Sequence, residues 1–316
     1  MATNTYKQFF DTEIEKQLRK DNAFLMEAKD ISGFMNGSMV NMYYEGADPD
    51  TGVNIATGSL PLSITERVDG VFNYSIDELH TKPTLIRRND SLKTPYDKVM
   101  SVKEQHAVTI AQLIAEYAIY NWLRDYAGTD GDTGADIPAS AKLLTTGADS
   151  EVNNNPALDG LRKLTTLQDV QRVALAMDRN NIPSSGRIAV LSAQQYHELF
   201  DLSNTRYNVN SGGAQNTSGI VGELFGFKIY KRSTSALTTA GVVQAPGSAI
   251  TTNSNHSSMF FHKDMVNKGS GNLDIYAQFD RGEYLGDLFN LRKDFASHRH
   301  SSDARGVFTL TQAPTV

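Results

Sequence analysis

Histidines, acidic residues and glycines form the few patterns in this chain of 316 residues that could support chemistry. His298 and His300 are two residues apart, so on a β-strand both side chains would share one face and could bind a metal ion. The sequence places no third ligand beside them, and we interpret them as a coincidental surface pair. The chain has no cysteine, which excludes disulfides, thiolate metal sites and a cysteine nucleophile.

Two further motifs resemble binding loops without completing them. The stretch DGDTGAD at 130–136 begins like a calcium loop, but Ala141 stands at its twelfth position, where a glutamate is required. The stretch GIVGELFGF at 219–227 has no following Lys-Ser or Lys-Thr, so it predicts a tight turn between strands instead of a phosphate loop. No G-x-S-x-G motif places a nucleophile. We therefore expect no catalysis, no metal and no cofactor.

Charge and hydropathy argue against two further classes, nucleic-acid-binding proteins and membrane-spanning proteins. The formal net charge is −6, and the basic residues form only short groups, at Arg87-Arg88 and at His298-Arg299-His300. We interpret both groups as solvated or ion-paired surface residues, which argues against a nucleic-acid grip over the whole surface. No window is apolar enough for a membrane span, and the first residues lack an apolar signal core.

Hydrophobic periodicity in the sequence predicts the helices that could position such residues. Thr12 and Glu15 have the spacing of a capping box, and Ile14, Leu18 and Leu25 then share a helical face. The clearest helix spans 101–127. One stripe of it is apolar and includes Trp122, which we assign to the core.

The stretch between these two helices reads as extended. A strand is expected at 38–46, and Asp69-Gly70 between two alternating runs predicts a hairpin. A lone two-stranded ribbon is marginal in water and its open edges invite partners. We therefore expect residues 38–100 to pack on another copy of the same chain.

From residue 161 the pattern alternates between helix and strand. Thr165 and Gln168 suggest a capping box, and Ser192 with Gln195 caps a short second helix. Loops are expected at 202–219 and 234–258, and strands at 187–191, 220–233, 259–265, 273–280 and 307–311.

The order of these segments resembles the major capsid proteins of tailed bacteriophages of the Hong Kong 97 type. Residues 9–25 look like the family's N-terminal arm, and residues 59–106 look like its extended loop running into the spine helix. The segment LQDVQRVALAMDRNNIPSSGRIAVLSAQQYHELF is similar to its axial-domain segment of helix, Pro-x-x-Gly-Arg turn, strand and short helix. GIVGELFGFKIYKRS and MFFHKDMV resemble the next two markers. The nearest resemblance is to phages infecting gut or marine Bacteroidetes.

This resemblance implies an α+β fold with an N-terminal arm, an extended β loop, a long spine helix, and peripheral and axial domains. The implied boundaries are 1–37 for the arm, 38–100 for the extended loop, 101–165 for the peripheral domain with the spine helix, 166–258 for the axial domain and 259–316 for the return to the peripheral domain. The founding member's lysine–asparagine crosslink is not placed here. The chain starts almost directly with the arm, so a separate scaffolding protein is the expected partner.

The function implied is self-assembly in many copies into an icosahedral shell that encloses a double-stranded DNA genome. Expected partners are further copies of the chain and scaffolding, portal and decoration proteins, with packaged DNA contacted only weakly and no membrane. The expected location is the virion capsid, assembled in the host bacterial cytoplasm. The candidate inter-subunit contacts are Leu62, Ile64, Arg67, Phe72, Tyr74, Arg87 and Arg88.

Two other functions stay open from the sequence. An α/β-hydrolase-like or carbohydrate-active enzyme would need facing carboxylates, which the sequence does not pair, and it leaves residues 38–100 unexplained. A tail or connector component of a virion would differ in symmetry, giving rings or tubes.

Overall fold

The computed structural model describes residues 22–35, 39–45, 66–87, 98–126, 136–150, 161–199, 220–300 and 304–314. The helices are α1 (Lys98–Leu123), α2 (Leu167–Arg179) and α3 (Ala193–Leu199). Short 3-10 helices span Ala23–Glu27, Ser32–Phe34, Ala139–Ala141 and Lys263–Met265. The strands are β1 (Lys29–Asp30), β2 (Met39–Tyr44), β3 (Gly70–Ser75), β4 (Asp77–His80), β5 (Thr84–Arg87), β6 (Lys142–Leu144), β7 (Arg187–Ser192), β8 (Ile220–Leu224), β9 (Phe227–Arg232), β10 (Ala236–Thr239), β11 (Val242–Val243), β12 (Ser254–His262), β13 (Val266–Arg281), β14 (Gly286–Arg299) and β15 (Val307–Thr311).

One sheet of five strands is built on the long antiparallel pair β13–β14. β4 and β5 both pair antiparallel with β14, and β1 adds a short parallel pairing at the start of β13. Helix α1 packs across β14. Its His106 contacts the hydroxyl oxygens of Thr81 and Thr84 at 2.7 and 2.9 Å, which holds the turn between β4 and β5 against the helix.

A second sheet of eight strands forms the body of the subunit. Its path is β11-β10-β12-β7-β9-β8, with β15 paired to β12 and β6 paired to β15. Every residue of β7 and of β15 is buried. β7 reads as a continuous apolar run because both of its faces are covered.

One large apolar core joins this sheet to the helices. Trp122 of α1 lies 5.4 Å from Phe261 and Phe227 lies 5.2 Å from Phe260, measured between ring centroids. The predicted apolar stripe of α1 is buried apart from the half-buried Tyr117, and the predicted face of α2 is buried at Val170, Val173, Ala174 and Met177. Helical spacing thus identified these core faces, while Leu175 of α2 points to solvent. The long helix itself is confirmed, with bounds shifted to Lys98–Leu123.

The cap of α2 differs by one residue from the prediction. Thr166, not Thr165, is the N-cap, and its hydroxyl accepts the backbone N–H of Asp169. The Asp169 carboxylate in turn accepts the Thr166 backbone N–H at 3.0 Å, completing a capping box with an aspartate. The prediction of Ser192 and Gln195 at the start of α3 is confirmed by mutual hydrogen bonds of 3.1 and 3.4 Å.

Two predictions for the extended segments are wrong. Among the described residues no hairpin turns at Asp69-Gly70, because β3 pairs antiparallel with β2, some 30 residues upstream, from Met39 opposite Ser75 to Tyr44 opposite Gly70. The segment 234–258 is not one loop, since it contains β10, β11 and the start of β12. The implied boundary after residue 258 also falls inside β12, which pairs with β7.

Residues 38–100 have more intramolecular support than expected. β4 and β5 join the five-stranded sheet through β14, so this part of the stretch packs on its own chain. The pair β2–β3, which we call the ribbon, forms a separate two-stranded sheet. The prediction that residues 38–100 have no packing surface in their own chain is therefore wrong for β4, β5 and the inner face of the ribbon, as far as these residues are described.

Candidate inter-subunit surfaces and the ribbon junction

The ribbon has one exposed and one buried face because side chains alternate along its strands. On the exposed face Tyr43 of β2 lies opposite Val71 of β3, and the two residues are 79% and 47% exposed. Met39 is on the same side of β2 and is also exposed. The polar pair Asn41 and Asn73 separates Met39 from Tyr43 and Val71 on this face. The ribbon therefore exposes one apolar cross-strand pair, Tyr43 and Val71, to solvent in the described part of the chain.

The buried face attaches the ribbon to the rest of the subunit. Val40 and Tyr74 form a small core with Ile31 and Ala296. Met42 packs against this core, and its sulfur lies 3.2 Å from the side-chain nitrogen of Asn267 at the start of β13. The inner face of the ribbon is therefore packed against its own chain.

The sequence-predicted contact residues that the structure describes, Arg67, Tyr74 and Arg87, lie in different environments. Arg67 is exposed and forms an ion pair with Asp69, with 2.8 Å between Arg67 Nε and the carboxylate, and this hydrogen-bonded partner raises the pKa of the guanidinium. Arg87 is exposed at the end of β5, opposite Gly286. Tyr74 is only 1% exposed and lies inside the subunit, so it presents almost no surface to a neighbour. Leu62, Ile64 and Arg88 lie outside the described residues, and for Phe72 only the backbone is described.

Sequence reasoning missed a second exposed apolar surface, at the tip of the β13–β14 hairpin. Phe279, Tyr284 and Leu285 are 66%, 49% and 77% exposed. Asp280 and Leu285 have φ values of +50° and +52°, a region that costs energy for residues with a side chain. The clue in the sequence is the glycine-bounded run GEYLG, which carries two large apolar residues at a turn.

A stack of three rings joins the ribbon root to the rest of the subunit. His298 of β14 lies between Tyr74 and Tyr126, with ring centroids 4.5 and 4.3 Å apart and interplanar angles of 22° and 27°. All three residues are buried. Tyr126 follows α1 and donates its hydroxyl hydrogen to the backbone oxygen of Asn121. We call the three stacked side chains the ribbon junction.

Hydrogen bonds fix the elements around this junction. The Arg299 guanidinium donates to the backbone oxygens of Trp122 and Arg124 at 2.9 and 2.8 Å, which satisfies carbonyl groups at the end of α1. Trp122 Nε1 donates to the backbone oxygen of Asn267 at 3.0 Å. These hydrogen bonds join the end of α1 to the start of β13 and to the end of β14, next to the ribbon.

Burial makes His298 a neutral residue. His298 Nδ1 lies 2.7 Å from the backbone oxygen of Arg299, and since a carbonyl can only accept, Nδ1 carries the hydrogen. Burial, together with the nearby charges of Arg299 and Arg124, lowers the pKa of His298 to about 3. Burial likewise raises the pKa of Tyr74.

The expectation that His298-Arg299-His300 is a surface group is therefore wrong for its first two residues. The end of β14 is covered on both faces, by the ribbon and by the end of α1, so His298 and Arg299 are both 1% exposed. The His300 side chain lies 3.4 Å from Lys29 Nζ. Within the described ranges, no three His, Asp or Glu side chains are grouped as metal ligands. The helices described here include none with the length and apolar character to cross a membrane.

Known proteins resemble this chain in structure and not in sequence. No protein-family model matches it, and no curated protein is similar to it. The capsid of Ralstonia phage GP4 aligns over 92% of this chain and 88% of its own, with a TM-score of 0.59 and 12% identity. The capsid of cyanophage P-SCSP1u aligns over 92% and 87%, with a TM-score of 0.58 and 17% identity.

Cyanophage Pam1 gives a similar result, since its capsid chain aligns over 91% of this chain and 88% of its own with a TM-score of 0.60 and 12% identity. None of these phages is named for a Bacteroidetes host, so that part of the resemblance is unsupported. The coverage of both chains is nearly complete, and the shared elements are helices together with sheets. The α+β architecture is thus confirmed, and the chain shares the fold of these phage capsid chains.

Proposed function

We propose that this chain is a major capsid protein, which assembles in many copies into the icosahedral shell around the double-stranded DNA of a tailed phage. The observation that carries the proposal is the likeness over about nine-tenths of both chains to three phage capsid structures. A likeness that covers nearly the whole chain leaves little of it for a different activity. The role is structural, with no catalytic step.

The two exposed apolar surfaces support this proposal. Monomeric soluble proteins rarely expose large contiguous apolar patches, and such patches mark interaction sites. The ribbon pair Tyr43 and Val71 and the hairpin-tip residues Phe279 and Leu285 are large apolar side chains exposed at two places, which favours contact with another chain there. A second copy of the chain is the occupant that follows, because closed shells are built from repeated contacts between identical subunits.

Charge favours the same role. The net charge of −6 makes a tight grip on packaged phosphates unfavourable, so DNA would be contacted only weakly. The isolated protein should accordingly show no tight, salt-dependent DNA affinity. Further partners under this proposal are a scaffolding protein, a portal and decoration proteins, and the location is the virion after assembly in the host cytoplasm.

The candidate contact residues remain part of the proposal. Arg67 and Arg87 are both exposed, and their proposed role is to pair with acidic groups of neighbouring copies. Leu62, Ile64, Phe72 and Arg88 are proposed as contacts from the sequence alone. Tyr74 is better placed to hold the ribbon root than to touch a neighbour, since it is buried in its own subunit.

Electron microscopy of the full chain, produced with its candidate scaffolding protein, tests the function. Closed shells of uniform size are the expected outcome. Rings or tubes would contradict a shell protein and indicate a tail or connector component. Monomers that stay dispersed, together with hydrolytic activity lost on changing a carboxylate, would indicate an enzyme.

A further inference from the structure

We propose that the ribbon junction of Tyr74, His298 and Tyr126 is a clamp that fixes the direction in which the ribbon leaves the subunit, and that shell closure depends on this direction. The inference rests on the proposed function for its second half. Its first half concerns the isolated subunit alone.

The ribbon junction connects three separate elements of the structure. Three elements that are far apart in sequence contribute one ring each: Tyr74 from the ribbon, Tyr126 from the end of α1, and His298 from β14. The middle ring is in contact with both outer rings. Removing the imidazole therefore takes away the ring that links the ribbon to the end of α1, and leaves the ribbon held by its contacts with Ile31 and Ala296.

The ribbon depends for its stability on the surface against which it packs. Two-stranded sheets are at best marginally stable in water without a surface to pack on. The inner face of this ribbon has its packing surface at Ile31, Ala296 and the junction. When the junction opens, the ribbon loses the ring contact of Tyr74 and part of its packing surface, so its backbone amides exchange more readily with solvent.

Charge makes the clamp sensitive to acid. The cations that act on His298 are Arg299 of β14 and Arg124 after α1, while Tyr74 of β3 and Asn267 of β13 bring uncharged groups to the junction. The carboxylates of Asp125 and Asp136 raise the pKa of Arg299 and so favour its charged form. A second proton would enter at Nε2, because Nδ1 already donates to the Arg299 backbone oxygen. A doubly protonated ring would thus be a buried cation close to the charges of two arginines.

The direction of the pH effect follows from the difference between the closed and open states. The closed junction holds the pKa of His298 at about 3, whereas an open junction returns it toward the ordinary 6.5. Between these values the open state binds more protons, so the closed state is favoured above about pH 6.5 and loses ground as the pH falls. The ratio of closed to open states should decrease by up to about tenfold per pH unit in this window.

Hydrogen exchange of the full-length unassembled subunit tests the clamp. The variants are His298→Ala, which removes the middle ring, and His298→Phe, which keeps a stacked ring that cannot titrate. His197→Ala, at an exposed histidine of α3, is the matched control. The measured quantity is the protection factor of amides in 39–44 and 70–75, corrected for the intrinsic exchange rate at each pH, with amides of β7 and β12 as the internal reference.

His298→Ala should lower ribbon protection by about tenfold or more at pH 7, while β7, β12 and the His197→Ala control stay unchanged. From pH 6.5 to 4.5 wild-type ribbon protection should fall by up to about 50-fold, and His298→Phe should show no such fall. Equal ribbon protection in His298→Ala and wild type would overturn the clamp. If His298→Ala does not fold, an identical pH response of wild type and His298→Phe overturns it instead.

Shell formation by the same variants tests the second half. His298→Phe should give closed shells, and a folded His298→Ala with a loosened ribbon should give open sheets or unassembled subunits. Normal shells from a variant with a loosened ribbon would overturn the dependence on direction. If the wild type itself forms no shells, the proposed function fails, while the exchange result on the clamp still stands.

Discussion

The eight-stranded sheet and the ribbon use apolar residues in opposite ways. In the sheet, β7 and β15 are buried along their whole length and share a core with α1 and α2. The ribbon buries one face at its root and leaves Tyr43 and Val71 open, and the β13–β14 tip leaves Phe279 and Leu285 open. The difference separates residues whose change should unfold the subunit from residues whose change should only prevent assembly.

The strongest test of this contrast is a pair of aromatic truncations. Trp122→Ala removes a fully buried ring between β13 and Phe261, and we expect it to lower the free energy of unfolding by about 3–5 kcal/mol. Tyr43→Ala removes an exposed ring of the ribbon and should change the same quantity by less than about 0.5 kcal/mol. Urea unfolding followed by circular dichroism measures both. Equal losses in the two variants would erase the contrast between body and ribbon.

A second pair of changes compares a tightly packed position with an open one at the tip of the β13–β14 hairpin. A Cβ at Gly286 would lie 2.3 Å from the backbone oxygen of Ile86, so Gly286→Ala must push β5 away from β14. We expect a loss of about 1–3 kcal/mol. Gly282, four residues earlier in the same turn, has open space around it, and Gly282→Ala should be close to neutral. Equal stability of the two variants in urea unfolding would contradict the tight pairing of β5.

A smaller effect is expected where the segment 22–35 meets the body. Lys228 Nζ and the Tyr230 hydroxyl both donate to Glu27, at 2.5 and 2.6 Å. Burial alone would raise the pKa of Glu27, but these two hydrogen bonds lower it below its usual value. The pair is partly exposed, so Glu27→Gln should cost about 1 kcal/mol or less.

The sign of its pH dependence follows from that lowered pKa. The ionised carboxylate stabilises the fold above its usual pKa of 4.5, and the contribution is lost as the pH falls below that value. Wild type and Glu27→Gln should therefore differ in stability at pH 7 and converge toward pH 3. A difference that is constant over this range would show that the ion pair is not the source.

The smallest effect on stability is expected at Arg67. Arg67→Glu changes an exposed ion pair on the ribbon, so the melting temperature should stay at the wild-type value. Shell yield in electron micrographs should fall, because a neighbour's acidic group would now meet a like charge, and a charge reversal on that neighbour should restore it. Full assembly of Arg67→Glu would remove this residue from the proposed contacts.

Local patterns predicted the elements whose residues interact with near neighbours in sequence. α1, β7 and the cap of α3 were found because helical spacing, an apolar run and a Ser-x-x-Gln pair are each contained in one segment. The resemblance to shell proteins also came from such segments in a fixed order. The shift from Thr165 to Thr166 at α2 shows how finely a cap depends on which hydroxyl faces the helix.

Long-range pairing was beyond this kind of reasoning. Asp69-Gly70 has the composition of a hairpin turn, yet β3 pairs with β2 because Val40 and Tyr74 then share one buried face. The sequence alone predicts a surface position for His298, because its burial depends on the ribbon and the end of α1 meeting over β14. Phe279 continues the alternation of Leu273 but is exposed, since the covering elements end before the hairpin tip.

The central claim is that the apolar faces left open in one subunit are closed by another copy. Electron cryomicroscopy of assembled particles tests it most directly, through the accessible surface of Tyr43, Val71, Phe279 and Leu285 in the shell. We expect side chains of neighbouring copies to cover most of this surface. Particles in which these residues stay as open to solvent as in the isolated subunit would contradict it.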